Sequence, residues 1–267
     1  MLIPVRSDGA TSSAHEWSPA VVEDLLDIVR TVHEEVLLVC DTPTSRGVAN
    51  AVRALSDEPV AVLLLDSPVT RWSFHVTALA TLPAADLTFA PAVVRAVDDA
   101  VRTRAVLSGV AGLADPNPGL GLHLLSWWPT TRFLVDIDQD VVRRTRETPA
   151  VESPRLVVAR AGKDVLPDVE RTLPADRTEI TGGTWPARRW LETTEGPEDL
   201  ARLAADAVAA ATTAAGTQPC AVCERPVVDD ACLFCAVVRE DPETVDLPSR
   251  ASDLPTASIL DSEGVRL

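Results

Sequence analysis

Two runs of consecutive apolar residues constrain the fold of this 267-residue chain more than any other feature. They are VLLVC at residues 36–40 and PVAVLLL at residues 59–65. Short, continuous apolar runs are typical of strands that are buried on both faces, as in parallel sheets covered by helices. Each run is followed by a polar loop and a segment with helical spacing. The sequence therefore predicts an α/β protein with an open, mostly parallel sheet.

The alternation of strands and helices continues through the first three quarters of the chain. Residues 120–128, LGLHLLSWW, alternate in a way that predicts a strand, and residues 138–149 predict a short helix. We therefore expect a flexible N-terminus at residues 1–17, followed by a Rossmann-like α/β domain over residues 18–195.

The last quarter of the chain divides into three parts. Residues 196–216 are rich in alanine and carry leucines along one face, which predicts a long helix. Residues 217–238 contain four of the five cysteines, and residues 239–267 are acidic and rich in proline and serine. We expect the last part to be a disordered tail, because its composition provides too few apolar residues for a packed core.

The four clustered cysteines follow a C-x2-C-x8-C-x2-C pattern. Two C-x-x-C turns joined by an eight-residue hairpin would bring four thiols into the tetrahedral arrangement that zinc prefers. The pattern resembles the short zinc ribbons of archaeal proteins, and the resemblance implies a Zn²⁺ site formed by Cys220, Cys223, Cys232 and Cys235. Four cysteines fill the coordination shell, so the site is expected to be structural. Redox use of the cysteine pairs is the alternative.

The charge of the chain limits its partners and indicates its source. The formal net charge is −16, and Lys163 is the single lysine. Few lysines and many acidic residues favour a haloarchaeal protein from a GC-rich genome, whose surface charge is screened by concentrated salt. A high-GC actinobacterium is the alternative source. The sequence contains no basic cluster, which disfavours nucleic acid as a partner.

The sequence also favours a cytoplasmic location. No apolar run is long enough to span a bilayer, and the N-terminal residues lack the apolar core of a signal peptide. In the cytoplasm, paired cysteines bind zinc more often than they form disulfides.

The loop after the first apolar run carries a candidate catalytic pair. Cys40 and Arg46 are five residues apart, between a strand and a helix, and this spacing resembles the C-x5-R loop of low-molecular-weight tyrosine phosphatases. The resemblance implies a nucleophilic Cys40 thiolate, a phosphate-binding Arg46 and a general acid such as Asp66 or Asp136. Pro43 departs from that pattern, because proline removes one N–H from a loop that binds phosphate through its N–H groups. The alternative is a buried cysteine at the end of a strand.

Polar residues at the ends of the two apolar runs predict a binding crevice. Asp41 follows the first run, and Asp66 and Ser67 follow the second. Ligands of open α/β sheets bind at the carboxyl ends of the strands. The loop from Asp41 to Arg46, together with Asp66 and Ser67, could therefore line a crevice for a small molecule.

One segment combines aromatic and cationic residues. Residues 182–190, GGTWPARRW, place Trp185 and Trp190 close to Arg188 and Arg189. Arginines stacked on tryptophans can bind phosphates or bases. The alternative is a helix start whose tryptophans anchor a helix to the sheet.

The sequence is consistent with three hypotheses for function. The order helix, EEVLLV, helix, strand resembles the sensor domains of haloarchaeal transcriptional regulators. This resemblance implies the first hypothesis, a non-enzymatic regulatory or adaptor protein that contacts another protein through its zinc ribbon or acidic tail. The second hypothesis is a phosphatase-like or nucleotide-dependent enzyme that uses the loop between Cys40 and Arg46. The third is a nucleic-acid-associated protein that uses the zinc ribbon and the tryptophan–arginine segment.

Overall fold

The computed structural model describes residues 1–5, 19–128, 131–146, 153–161, 173–183, 185–214 and 218–238. Within these segments, a three-stranded sheet and a six-stranded sheet pack with helices. The predicted α/β class is therefore confirmed. The predicted tail at residues 239–267 lies outside the described residues.

The first sheet is parallel and has the strand order β1-β2-β3. Its strands are β1 (Leu2–Val5), β2 (Val36–Cys40) and β3 (Val60–Leu64), and the helices α1 (Pro19–Val32) and α2 (Pro43–Leu55) lie between them along the chain. All five residues of the central strand β2 are buried. This is why its sequence is a continuous apolar run rather than an alternating one.

Strand β1 lies within the segment expected to be a flexible N-terminus, residues 1–17. It pairs with β2 from Leu2 opposite Leu37 to Val5 opposite Cys40, and Val5 is buried. Four residues are too few to show a periodic pattern. The strand forms because the edge of β2 offers main-chain partners. Residues 6–18 are not among the described residues.

The second sheet is mixed and has the strand order β6-β5-β4-β9-β7-β8. Its strands are β4 (Arg102–Leu107), β5 (Arg132–Asp136), β6 (Val141–Thr145), β7 (Arg155–Arg160), β8 (Thr178–Ile180) and β9 (Trp190–Gly196). Neighbouring strands are antiparallel except for the parallel pair β7 and β8. The Rossmann-like, parallel part of the fold is therefore the first sheet.

Helices join the two sheets through one continuous core. The further helices of the described segments are α3 (Val69–Leu79), a 3-10 helix (Ala84–Phe89), α4 (Ala90–Ala100), α5 (Gly119–Leu125) and α6 (Leu200–Thr213). The core includes Leu37 of β2, Phe74 of α3, Val93 of α4, Val157 of β7 and Leu200 of α6. None of the helices in the described segments has both the length and the apolar composition needed to cross a bilayer.

Two predicted elements are wrong. Residues 120–128 were expected to form a strand, but they contain α5, in which Leu120 and Leu124 are exposed. Alternation at four positions does not separate a strand from one helical turn of leucines. Residues 138–149 were expected to form a helix, but β6 pairs there with β5. The hairpin forms because Asp140 takes a left-handed conformation (φ 52°) that closes a tight turn.

Candidate metal centre and ligand cleft

The four clustered cysteines lie together in the fold. The Sγ atoms of Cys220, Cys223, Cys232 and Cys235 are all within 4.8 Å of one another, and those of Cys223 and Cys232 are 3.6 Å apart. A short hairpin of β10 (Gln218–Pro219) and β11 (Pro226–Val227) carries the first cysteine pair. Four sulfurs at this spacing can hold one metal ion.

Two similar turns position the sulfurs. In the first turn, the Glu224 N–H donates to the Cys220 carbonyl at 2.9 Å; in the second, the Ala236 N–H donates to the Cys232 carbonyl at 2.8 Å. Glu224 and Ala236 both adopt left-handed conformations, with φ of 60° and 55°. The residue after each cysteine pair therefore reverses the chain, and the two turns present their sulfurs to one point.

The thiols of this cluster differ strongly in acidity. Burial would raise the pKa of Cys223, but hydrogen bonds with Arg225 and neighbouring thiols lower it to about 6. Burial and the neighbouring Cys223 raise the pKa of Cys235 to about 12, and burial also raises that of Cys232. The thiols of the metal-free cluster therefore do not all ionise at neutral pH. A divalent cation would favour the thiolate form of its ligands and release protons on binding.

The segment from Gln218 to Val238, called the cysteine module below, is docked on the edge of the first sheet. The Val62 N–H of β3 donates to the Leu233 carbonyl at 3.1 Å, and the Arg53 guanidinium of α2 donates to the same carbonyl at 3.2 Å. The buried side chain of Phe234 belongs to the same core as Leu37 of β2. The cysteine module therefore packs into the core and does not protrude from it as a separate unit.

Arg225 fastens the cysteine module to the start of β2. Its Nη2 donates to Glu35 Oε1 at 2.6 Å, and its guanidinium lies 4.3 Å from the centroid of the Phe234 ring. It also forms a side-chain hydrogen bond with the low-pKa thiol of Cys223. The one arginine between the cysteines is therefore used within the chain, which weakens the hypothesis that the module binds nucleic acid.

A second candidate site is a cleft of about 700 Å³ at the carboxyl ends of β2 and β3. Asp41 and Asp66 line it, at the place where the sequence predicts a crevice. Its wall also includes Trp72 of α3, Glu192 of β9 and Trp185, which precedes β9 in the chain. Sequence patterns did not indicate Glu192, because its approach to the strand ends depends on how the second sheet packs beside the first.

Glu192 is held by neutral donors. It is 1% exposed, and its Oε1 accepts hydrogen bonds from the Thr70 N–H at 2.7 Å and the Thr70 hydroxyl at 2.6 Å. Its Oε2 accepts a hydrogen bond from Trp185 Nε1 at 2.6 Å. These bonds tie the start of α3 and the Trp185 ring to β9 and fix the shape of this wall.

The loop between Cys40 and Arg46 does not form an anion cradle. Cys40 has no exposed surface, and burial raises the pKa of its thiol to about 12, only partly offset by a hydrogen bond with Ser45. Arg46 is exposed, and its N–H donates to the Thr42 carbonyl at 3.0 Å. Thr42 and Ser45 cap α2 reciprocally, so the main-chain N–H groups of these two residues are already used. The arrangement matches the alternative of a buried cysteine at a strand end.

The tryptophan–arginine segment is divided between two surroundings. Trp190 is buried and begins β9, whereas Trp185 lines the cleft. Arg188 and Arg189 are exposed. The described residues of the segment do not start a helix, and its tryptophans do not stack on these arginines to make a shared surface for bases.

The fold and the two sites define an α/β protein with a tetracysteine module and a cleft at its strand ends. No protein-family model matches the chain, and no curated protein matches it significantly. Two similar solved structures are a DegV family protein from Corynebacterium glutamicum (12% identity, 66% of this chain and 79% of that chain, TM-score 0.38) and DegV, a fatty acid binding protein from Bacillus subtilis (10%, 66% and 76%, TM-score 0.33). At these TM-scores, neither structure assigns a ligand or a role to this chain.

Proposed function

We propose that this chain is a non-enzymatic regulatory protein that binds a small molecule in the cleft and is stabilised by a structural zinc ion. The observation that carries the proposal is the cleft itself, at the carboxyl ends of β2 and β3. Ligands of open α/β sheets bind at such strand ends. A volume of about 700 Å³ also falls within the usual range for small-molecule sites.

The donor set supports zinc as the structural ion. Four cysteine sulfurs suit a soft or borderline cation with tetrahedral geometry, and a filled shell leaves no position for a substrate. Iron also binds to sites of four thiolates. Elemental analysis of the purified chain separates the two.

Strand β3 connects the two sites and supports a regulatory role. Val62 bonds to Leu233 of the cysteine module, and Asp66, four residues later, lines the cleft. A ligand that orders the end of β3 would therefore also affect the surface to which the module is docked. Contact with another protein through the module, and a haloarchaeal source, are part of the same proposal and are supported by the sequence.

A cleft-blocking substitution tests the proposal. Ala114 lines the cleft and is exposed, so Ala114→Trp would fill the space without disturbing the core. Ala54 is exposed on α2 and does not line the cleft, so Ala54→Trp is the matched control. A metabolite library is screened by ligand-observed NMR against the three proteins in molar KCl. We expect compounds that bind the wild type and Ala54→Trp but not Ala114→Trp. Equal binding to all three proteins, or no binding compound at all, would overturn the proposal.

A further inference from the structure

We infer that the ligand of the cleft is an organic cation; this rests on the proposed function, that the cleft binds a small molecule. Five carboxylates lie among the described residues that line the cleft: Asp41, Asp66, Asp115, Asp140 and Glu192. None of these described lining residues is a lysine, arginine or histidine. A concave wall with one sign of charge concentrates ligands of the opposite sign.

Glu192 places a buried carboxylate in the cleft wall, and no cationic side chain of the described residues pairs with it. Its three hydrogen-bond donors, from Thr70 and Trp185, are all neutral. Among the described residues, it forms no ion pair with an arginine, lysine or histidine. Buried charges in proteins are normally paired. A cationic ligand would supply the missing partner.

The rest of the wall suits a cation with an apolar body. Trp72 and Trp185 line the cleft together with Val69, Leu113 and Ile137. Alkylammonium groups bind against tryptophan faces through cation–π attraction. The hydroxyl oxygen of Ser67, another lining residue, is buried and has no hydrogen-bond partner among the described residues.

The arrangement of the carboxylates favours an extended organic cation over a metal ion. A metal site needs several oxygen atoms that converge on one point. Within the described residues, the cysteine tetrad is the group of three or more potential ligands whose atoms lie within 4.8 Å of one another. The cleft carboxylates are instead spread around a space of about 700 Å³. They match a cation of several carbon atoms better than a bare divalent ion.

Three probes of the same shape and different charge test the inference. Choline, its neutral isostere 3,3-dimethylbutan-1-ol and the anion 3,3-dimethylbutanoate are titrated into the full chain at constant ionic strength, and binding is followed by ligand-observed NMR. We expect choline to bind at least about tenfold more tightly than the neutral probe, a difference of about 1.4 kcal/mol. Asp66→Asn and Asp115→Asn should each weaken choline binding severalfold and leave the neutral probe unchanged. Asp57→Asn, an exposed change outside the cleft lining, should change neither.

The outcomes separate the inference from the proposed function. If the neutral or anionic probe binds as tightly as choline and Ala114→Trp abolishes that binding, the cleft is a ligand site but the inference is wrong. If choline does not bind while compounds of the library do, the inference is also wrong and the proposed function stands. If neither the probes nor the library bind, both fail. Because Asp66 and Asp115 are exposed, their variants are expected to fold, and their unfolding curves check this directly.

Discussion

The main-chain N–H of Val62 donates to the carbonyl oxygen of Leu233 at 3.1 Å, and this bond joins the edge of the first sheet to the cysteine module. An exposed sheet edge is a site for unwanted pairing with other chains. Here the module covers part of that edge and inserts Phe234 into the core. Metal binding, if it orders the module, therefore stabilises the whole first sheet and not a local loop.

Removal of the Phe234 ring tests whether the cysteine module belongs to the core. Phe234 is 7% exposed and packs in the cluster that includes Leu37 and Val39. Phe234→Ala should lower the free energy of unfolding by about 3–5 kcal/mol, the usual cost of removing a buried aromatic ring. Val222 is 66% exposed in the same module, so Val222→Ala should change it by less than about 0.5 kcal/mol. Chemical denaturation measures both, and equal effects would mean that the module is not packed in the core.

The contact of Arg225 with Glu35 predicts a moderate loss of stability. Both side chains are about a quarter exposed, at 26% and 27%, so solvent weakens their attraction. Arg225→Ala should cost about 1–2 kcal/mol, because it removes the ion pair and the stacking on Phe234 together. Arg225→Lys should recover only part of this, since lysine keeps the charge but not the planar stacking. Arg188→Ala, an exposed control, should have no measurable effect.

A double-mutant cycle of Arg225→Ala with Glu35→Ala isolates the ion pair. A coupling energy of zero would show that the arginine acts by packing alone.

The buried thiol of Cys40 predicts a loss of stability at alkaline pH. Its pKa is raised from 9.0 in the unfolded chain to about 12 in the folded protein. The unfolded state therefore releases this proton at a lower pH than the folded state does. The contribution of the Cys40 thiol to the free energy of unfolding is complete below pH 9 and is lost as the pH rises towards 12. Between pH 9 and 11, the free energy of unfolding of the wild type should fall more steeply than that of Cys40→Ala, by up to about 1.4 kcal/mol per pH unit. Parallel pH profiles of the two proteins would refute the assignment.

Substitution of Gly183 and of Gly121 by alanine should change the stability of the protein in opposite directions. Gly183 lines the cleft with φ of 88°, and an added Cβ would lie 2.7 Å from Val69 Cγ1. Gly183→Ala should therefore destabilise the protein by about 1–3 kcal/mol. Gly121 lies in α5 with nothing within 4 Å of an added Cβ, so Gly121→Ala should stabilise it by up to about 1 kcal/mol. Thermal unfolding distinguishes the two, and a neutral Gly183→Ala would show that this wall of the cleft is not tightly packed.

The sequence predicts those parts of the fold that depend on local pattern. The continuous run at β2 identifies a strand buried on both faces, and the C-x2-C spacing identifies the four cysteines that lie together. Asp41 and Asp66 could be placed at one cleft because parallel strands end at the same edge of a sheet.

Contacts between distant segments could not be predicted in this way. Glu192 reaches the cleft from β9, more than a hundred residues after Asp66, through bonds to Thr70. The docking of Leu233 on Val62 spans a similar distance along the chain. Neither contact produces a recognisable residue spacing in the sequence, because each depends on how two separately formed elements pack against each other.

The most direct test of metal-dependent stabilisation is to measure the zinc content of the purified chain together with its thermal unfolding. It shows whether a metal ion stabilises the cysteine module on the first sheet. We expect one zinc per chain in the wild type and in Val222→Ser, and none in Cys223→Ser. The Tm of Cys223→Ser should be lower by roughly 10 °C, since a ligand at a thousand times its Kd stabilises by about 4 kcal/mol and each kcal/mol shifts Tm by about 2–4 °C. One iron per chain, with the same loss of stability in Cys223→Ser, would show that the metal is iron and that it still stabilises the cysteine module. A metal-free wild type that unfolds at the same temperature as Cys223→Ser would contradict it.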